Sequence, residues 1–122
     1  MNKEQIMRST LNLNIIENHN LLYFNIPKEI VQNLALTAND LLEYDVRENH
    51  FFFRKKGSQS LPKKIQHNIF SGLQVERNVT RNNTVLRTNL PKEVAQPLAI
   101  RKGDAVEITF DGKVIVGYKK LE

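Results

Sequence analysis

Ile26-Pro27-Lys28-Glu29-Ile30 decides how this chain is read, because it returns sixty-four residues later as Leu90-Pro91-Lys92-Glu93-Val94. Sliding residues 20–56 over 84–120 without a gap makes 12 of 37 positions identical. The pairs are Leu22/Leu86, Asn25/Asn89, Pro27/Pro91, Lys28/Lys92, Glu29/Glu93, Gln32/Gln96, Leu34/Leu98, Ala35/Ala99, Asp40/Asp104, Glu43/Glu107, Lys55/Lys119 and Lys56/Lys120. Apolar character also matches at Ile26/Leu90, Ile30/Val94, Leu36/Ile100, Leu42/Val106 and Phe51/Ile115. A pattern of that length in one register makes the chain two copies of a single supersecondary unit.

A unit of this size, about 45 residues, is close to the limit below which a lone core rarely holds without staples. The chain of 122 residues has no Cys to supply one. The two units are therefore expected to fold on each other or on other chains. His19, His50 and His67 lie far apart with no ligand spacing, so no metal and no cofactor is expected. No apolar run approaches the ~20 residues of a membrane span, and the first residues lack a signal-peptide core. Together with the absence of Cys, this makes a cytoplasmic chain without membrane contact the expectation.

The net charge of +5 is unevenly spread. Counting Lys and Arg against Asp and Glu, residues 1–19 sum to 0, 20–50 to −3, 51–72 to +5, 73–90 to +2 and 91–122 to +1. An anion-binding surface should therefore draw on the middle of the chain and the opening of the second copy.

Leu11-Asn12-Leu13-Asn14-Ile15 alternates apolar and polar, as a half-buried strand does. Asn18-His19-Asn20 signals a turn, and a second strand over Leu21–Ile26 completes a hairpin. Pro27 suits the first position of a helix, and Glu29 suits its positive end. The residue before each proline is apolar where Ser or Asp would cap better, so burial should outweigh capping there. Asn39 in one copy stands where Gly103 stands in the other. Both residue types tolerate positive φ, and the Asp40 and Asp104 that follow can bond turn amides.

Leu41–Val46 and His50–Arg54 read as a second hairpin, in which Phe51-Phe52-Phe53 is strand and core rather than a stacking platform. Residues 55–72 form a basic connector. In the second copy, strands are expected around Leu73–Val79 and Thr84–Asn89, with Arg81-Asn82-Asn83 turning between them. The helix begun by Pro91 should be short, because Pro97 cannot donate to the Glu93 carbonyl. Asp111-Gly112 marks a two-residue turn, and Arg47-Glu48-Asn49 a wider loop at the same place in the first copy.

Each copy thus reads strand, strand, short helix, strand, strand. The run Leu98-Ala99-Ile100-Arg101-Lys102-Gly103-Asp104 after Leu90-Pro91-Lys92-Glu93-Val94, echoed in the first copy with Asn39 for Gly, resembles the AbrB/MazE/SpoVT family. That resemblance implies a mostly β fold with short helices: a swapped-hairpin, AbrB-like β-barrel, formed here as an intrachain pseudo-dimer. The repeats would span 9–56 and 73–120, joined by a basic linker over 57–72.

The resemblance also implies binding of double-stranded DNA, with contacts from basic residues on the first hairpin of each unit. Carried onto this sequence, that points to Arg77, Arg81 and Arg87, with Asn82 and Asn83 at the turn. Arginine offers a planar donor fork to phosphate or guanine, and Asn can pair bidentately with adenine. The aligned positions of the first copy are Leu13, Glu17 and Tyr23, which leaves Arg8 and Lys3 nearby. Either one chain reads an asymmetric site mainly through its second copy, or a second copy of the chain pairs with it to present two Arg-rich hairpins. Lys55, Lys56, Lys63 and Lys64 could add phosphate contacts without sequence information.

A sequence-specific transcriptional regulator is the first functional expectation. The alternative is an antitoxin that neutralises a toxin protein and represses its own operon. Such antitoxins carry an extended tail, whereas here only Leu121-Glu122 follow the barrel pattern. A protein-interaction module is third. Asp40 and Asp104 could be taken for paired carboxylates, yet each belongs to a turn motif, and no enzyme activity is expected.

Overall fold

The computed structural model describes residues 10–57 and 75–120. Arg8, Lys63, Lys64 and nearly all of the basic connector lie outside the described residues.

The first copy contributes strands β1 (Leu11–Asn14), β2 (Ile16–Asn18) and β3 (Leu21–Asn25), helix α1 (Lys28–Leu34), and strands β4 (Leu41–Arg47) and β5 (His50–Lys55). The second contributes β6 (Val75–Asn82), β7 (Val85–Leu90), helix α2 (Lys92–Ala95), β8 (Ala105–Asp111) and β9 (Val114–Lys119). Adding sixty-four to the bounds of β4 and β5 gives those of β8 and β9. The single strand β6 matches the span that the first copy divides at Ile15.

The strands run β1-β8-β9-β5-β4-β6-β7-β3-β2, every described pairing antiparallel. The two edge strands are separated in sequence by Ile15 alone, so the row of strands nearly closes on itself. The described residues form a nearly closed antiparallel β-barrel with two short helices.

The pairing itself repeats. Leu13 lies opposite Val106 in β1·β8, and the corresponding Arg77 lies opposite Leu42 in β6·β4. Ile15 bonds the backbone of Gly103 and Asp104, as Val79 bonds that of Asn39 and Asp40. Two residues face their own counterparts: Phe24 is opposite Thr88, and Phe52 is opposite Val116. The relation between the copies is therefore twofold, and it passes through those two pairs.

Strand alternation sends Leu13, Phe24, Leu42, Tyr44, Phe51, Phe53, Val79, Leu86, Leu90, Val106, Ile108 and Ile115 into one core shared by both copies. Phe53 lies at its centre, 5.9 Å from Phe24 and 5.4 Å from Tyr44 between ring centroids. All three residues of the Phe51–Phe53 run are buried, with Phe52 packed on Val114 and Val116 in a smaller cluster. Each such side chain contributes about 1.5–3 kcal/mol relative to exposure. The buried Thr88 hydroxyl donates to the Asn78 carbonyl at 3.1 Å, so its burial is compensated.

Several repeated identities now have a physical reason. Ile26 and Leu90 are buried, and neither proline-initiated helix has a side-chain cap. Ala35, just past α1, and Ala99, closing the turns that follow α2, take left-handed φ of 53° and 56°. Lys55 Nζ donates to the Ala35 carbonyl at 3.0 Å, and Lys119 Nζ to that of Ala99 at 2.7 Å. The same ammonium groups pair with Asp40 at 3.6 Å and Asp104 at 3.3 Å. Those carboxylates accept the amides of Thr37 and Arg101, both at 2.8 Å. Asn39 and Gly103 do adopt positive φ, 80° and 86°. Each copy thus fastens its helix end to its last strand with one lysine and one aspartate.

Three turn expectations need correction. Arg47 pairs with His50, so the first copy's closing turn is a two-residue Glu48-Asn49 turn and not a wider loop. Asp111 pairs with Val114, which puts Gly112-Lys113 in the other turn rather than Asp111-Gly112. The strand β6 runs on through Arg81 and Asn82, and Asn83-Thr84 make the turn. Each of these turns puts positive φ at its first residue: Glu48 at 56°, Gly112 at 66° and Asn83 at 60°. Two-residue turns of that handedness match the right-handed twist of the strands, and that requirement overrides residue type at Glu48. Helix α2 is short as expected, ending before Pro97.

Candidate nucleic-acid interface

The opening hairpins of the two copies lie side by side, β6-β7-β3-β2, joined by the β3·β7 pairing. Because Phe24, Leu86, Thr88 and Leu90 point into the core, alternation turns Tyr23, Asn25, Val85 and Arg87 to the other face. Arg87 sits between Thr80 on β6 and Asn25 on β3. Its guanidinium carbon is 5.8 Å from the Tyr23 ring centroid, and its Nε donates to Asn25 Oδ1 at 3.4 Å.

Arg81 pairs with Leu86, one step along the ladder, so it leaves the hairpin on the face opposite to Arg87. It is exposed near the tip and, among the described residues, has no hydrogen-bond or ion-pair partner. Asn82 ends the strand opposite Val85, and Asn83 occupies the left-handed turn position, so its residue type already answers to the backbone.

Arg77 differs from both. It occupies the repeat position of the buried Leu13, and its guanidinium is committed within the protein. Nε donates to Asn89 Oδ1 at 2.6 Å, Nη1 to the Glu76 carbonyl at 2.7 Å, and Nη2 lies 3.7 Å from Glu93 Oε1. Asn89 in turn donates to the Leu22 carbonyl at 2.8 Å. Arg77 therefore braces β6 and β7 against β3. Nothing in local sequence pattern marked Asn89 or Glu93 as its partners.

In the first copy Leu13 is buried and Tyr23 lies beneath Arg87. Glu17 faces Lys102 at 3.6 Å. Among the described residues, that hairpin adds no cation to the sheet. Lys55 is held in its helix clasp, and Lys56 pairs with Glu76 at 2.7 Å, which raises its ammonium pKa. The site consists of two separately directed arginines, Arg81 at the asparagine-bearing tip and Arg87 on the sheet, with a third, Arg77, anchoring the base.

Fold and site together define a nearly closed antiparallel barrel of two repeated units, with its uncommitted cationic hairpin in the second. No family model matches the chain, nor does any curated protein or solved structure. Among the described residues, no helix is long and apolar enough to cross a membrane.

Proposed function

We propose that this chain is a sequence-specific, double-stranded-DNA-binding transcriptional regulator of the AbrB/MazE/SpoVT type, its two repeats making a swapped-hairpin pseudo-dimer within one polypeptide. The observation that carries the reading is the doubled pairing register: each copy's opening strand pairs with the other copy's closing hairpin. That exchange turns the two opening hairpins into one continuous surface, with Arg87 and Tyr23 beside its twofold relation.

On this reading Arg81 and Asn82 at the tip and Arg87 on the sheet contact the duplex, with Asn83 setting the turn. Arg77 supports them from within. The cations belong to one repeat, so the surface fits a non-palindromic target read by a single chain. Lys63, Lys64 and Arg8 would add sequence-independent attraction.

The test is selection of binding sites from random duplexes with the purified chain, followed by affinity measured against salt. A single asymmetric motif, bound with affinity that falls steeply as salt rises, is the expected result. Recovery of an inverted repeat would assign the site to two chains. Failure to enrich any sequence would remove the reading.

A further inference from the structure

The internal repeat provides its own control for a second site. Where each closing hairpin turn meets the end of a helix there is a crevice, and the two crevices occupy corresponding places in the two copies. One lies among Asn33, Leu34, Lys55 and Lys113 and measures about 290 Å³. The other lies among Asn49, His50, Pro97, Leu98, Tyr118 and Lys119 and measures about 550 Å³.

The difference follows from substitutions at matched positions. In the smaller crevice the Lys113 ammonium reaches across the opening and donates to the Asn33 carbonyl. Asn49 stands at the position of Lys113, too short to make that span, and Pro97 replaces Asn33. His50 and Tyr118 replace Val114 and Arg54. Their rings lie 5.5 Å apart between centroids, inclined at 59°, and give the larger crevice an aromatic wall facing Pro97 and Leu98.

The polar inventory narrows what could enter. The Tyr118 hydroxyl is spent on Glu107, which fixes its ring. Lys119 is spent on the Ala99 carbonyl and Asp104. Among the described residues, the side chains of Asn49 and His50 have no hydrogen-bond or ion-pair partner. The crevice therefore has a largely apolar and aromatic lining, its lysine is paired, and free hydrogen-bonding groups stand at one end. Its volume lies in the range of small-molecule sites, about 300–1,000 Å³.

We infer that this crevice binds a small, planar, uncharged aromatic compound, one or two fused rings with a hydrogen-bonding edge. The ring slides between the His50–Tyr118 wall and Pro97–Leu98, and its polar edge meets Asn49 and His50. None of its lining residues belongs to the Arg81–Arg87 hairpin, and the inference does not depend on the DNA-binding reading.

The test is a titration of the full ¹⁵N-labelled chain with indole, with cyclohexanol as the non-aromatic control. Expected are saturable amide shifts at Asn49, His50, Leu98, Tyr118 and Lys119 with indole and none with cyclohexanol. The matched residues Lys113, Val114, Leu34, Arg54 and Lys55 stay in place. Asn49→Lys, which copies the Lys113 plug into the open crevice, should weaken indole binding at least tenfold while the rest of the spectrum is unchanged. Absence of saturable shifts, equal response in both crevices of the unaltered chain, or undiminished binding by folded Asn49→Lys would overturn the inference. Should Asn49→Lys fail to fold, undiminished indole binding by folded His50→Val, which copies the matched residue of the plugged crevice, would overturn it as well.

Discussion

Arg87 holds its guanidinium over the ring of Tyr23, the residue at the same position of the other repeat. The two repeats place a cation and an aromatic ring at one matched position and pack them together. The consequence for recognition is direct. On the proposed DNA-binding reading, Arg87 would exchange a contact worth about 0.5–1 kcal/mol at an exposed site for a charged hydrogen bond. Arg87→Ala should reduce affinity for a selected duplex by about 1–3 kcal/mol and relax preference at one base position, read by anisotropy on single-substituted duplexes. Uniform weakening over all duplexes would reassign Arg87 to phosphate.

Arg81 is expected to behave differently. It is exposed, points away from Arg87 and has no partner within the described chain. Arg81→Ala should weaken binding similarly on every duplex and flatten the slope of log affinity against log salt by about 1. An unchanged slope would show that Arg81 neutralises no phosphate.

Gly117 tests the shared core. It lies opposite Phe51, and a Cβ built on it would come within 2.6 Å of two Phe51 ring carbons. Phe51 is fully buried and stacked on Phe53 at 6.3 Å, so it has little room to yield. Gly117→Ala should destabilise the fold by about 1–3 kcal/mol in urea unfolding. Stability within error of the parent would mean the ring moves freely.

Two aspartates should respond to acid in opposite senses. The Arg101 amide, and then Lys119, hold the Asp104 carboxyl below its usual range. A carboxyl lowered by folding stabilises above its unfolded pKa and loses that contribution as pH falls through the folded one. Asp104→Asn should therefore lower the urea midpoint at pH 7 and flatten its fall in acid. Equal acid limbs for parent and variant would contradict this.

Burial pushes the Asp45 carboxyl up, although its Oδ1 accepts the Val46 amide at 2.7 Å. A carboxyl raised by folding favours the folded chain most when protonated, and that advantage is lost as pH rises from the ordinary aspartate value through the raised one. Asp45→Asn keeps the acceptor and removes the charge. It should stabilise the protein at pH 7 and have little effect at pH 3. Destabilisation at pH 7 would show that the charge is compensated in the fold.

The local elements of this architecture could be read from residues alone. Pro27 and Pro91 mark helix starts, Pro97 shortens a helix, and Asn39 and Gly103 announce positive φ. The turn register was less legible. Asp111-Gly112 fits a turn by type, but strand pairing sets which two residues cross over, and it shifts the turn by one. The candidate interface was legible only as a set of basic residues on one hairpin. That Arg77 would be taken up by Asn89 and Glu93, while Arg81 stayed free, depends on where the chain brings distant residues. Likewise nothing in the sequence joins Lys119 to Ala99 and Asp104; the fold brings them together.

The pairing of strands from both repeats has one further consequence. In an assembly of two separate polypeptides, dilution pulls the halves apart and any change appears twice. Here the halves are tethered, so their union carries no concentration dependence, and each position can vary without its twin following. The plugged and open crevices, and the hairpin with arginines beside the one without, are what such independence leaves behind.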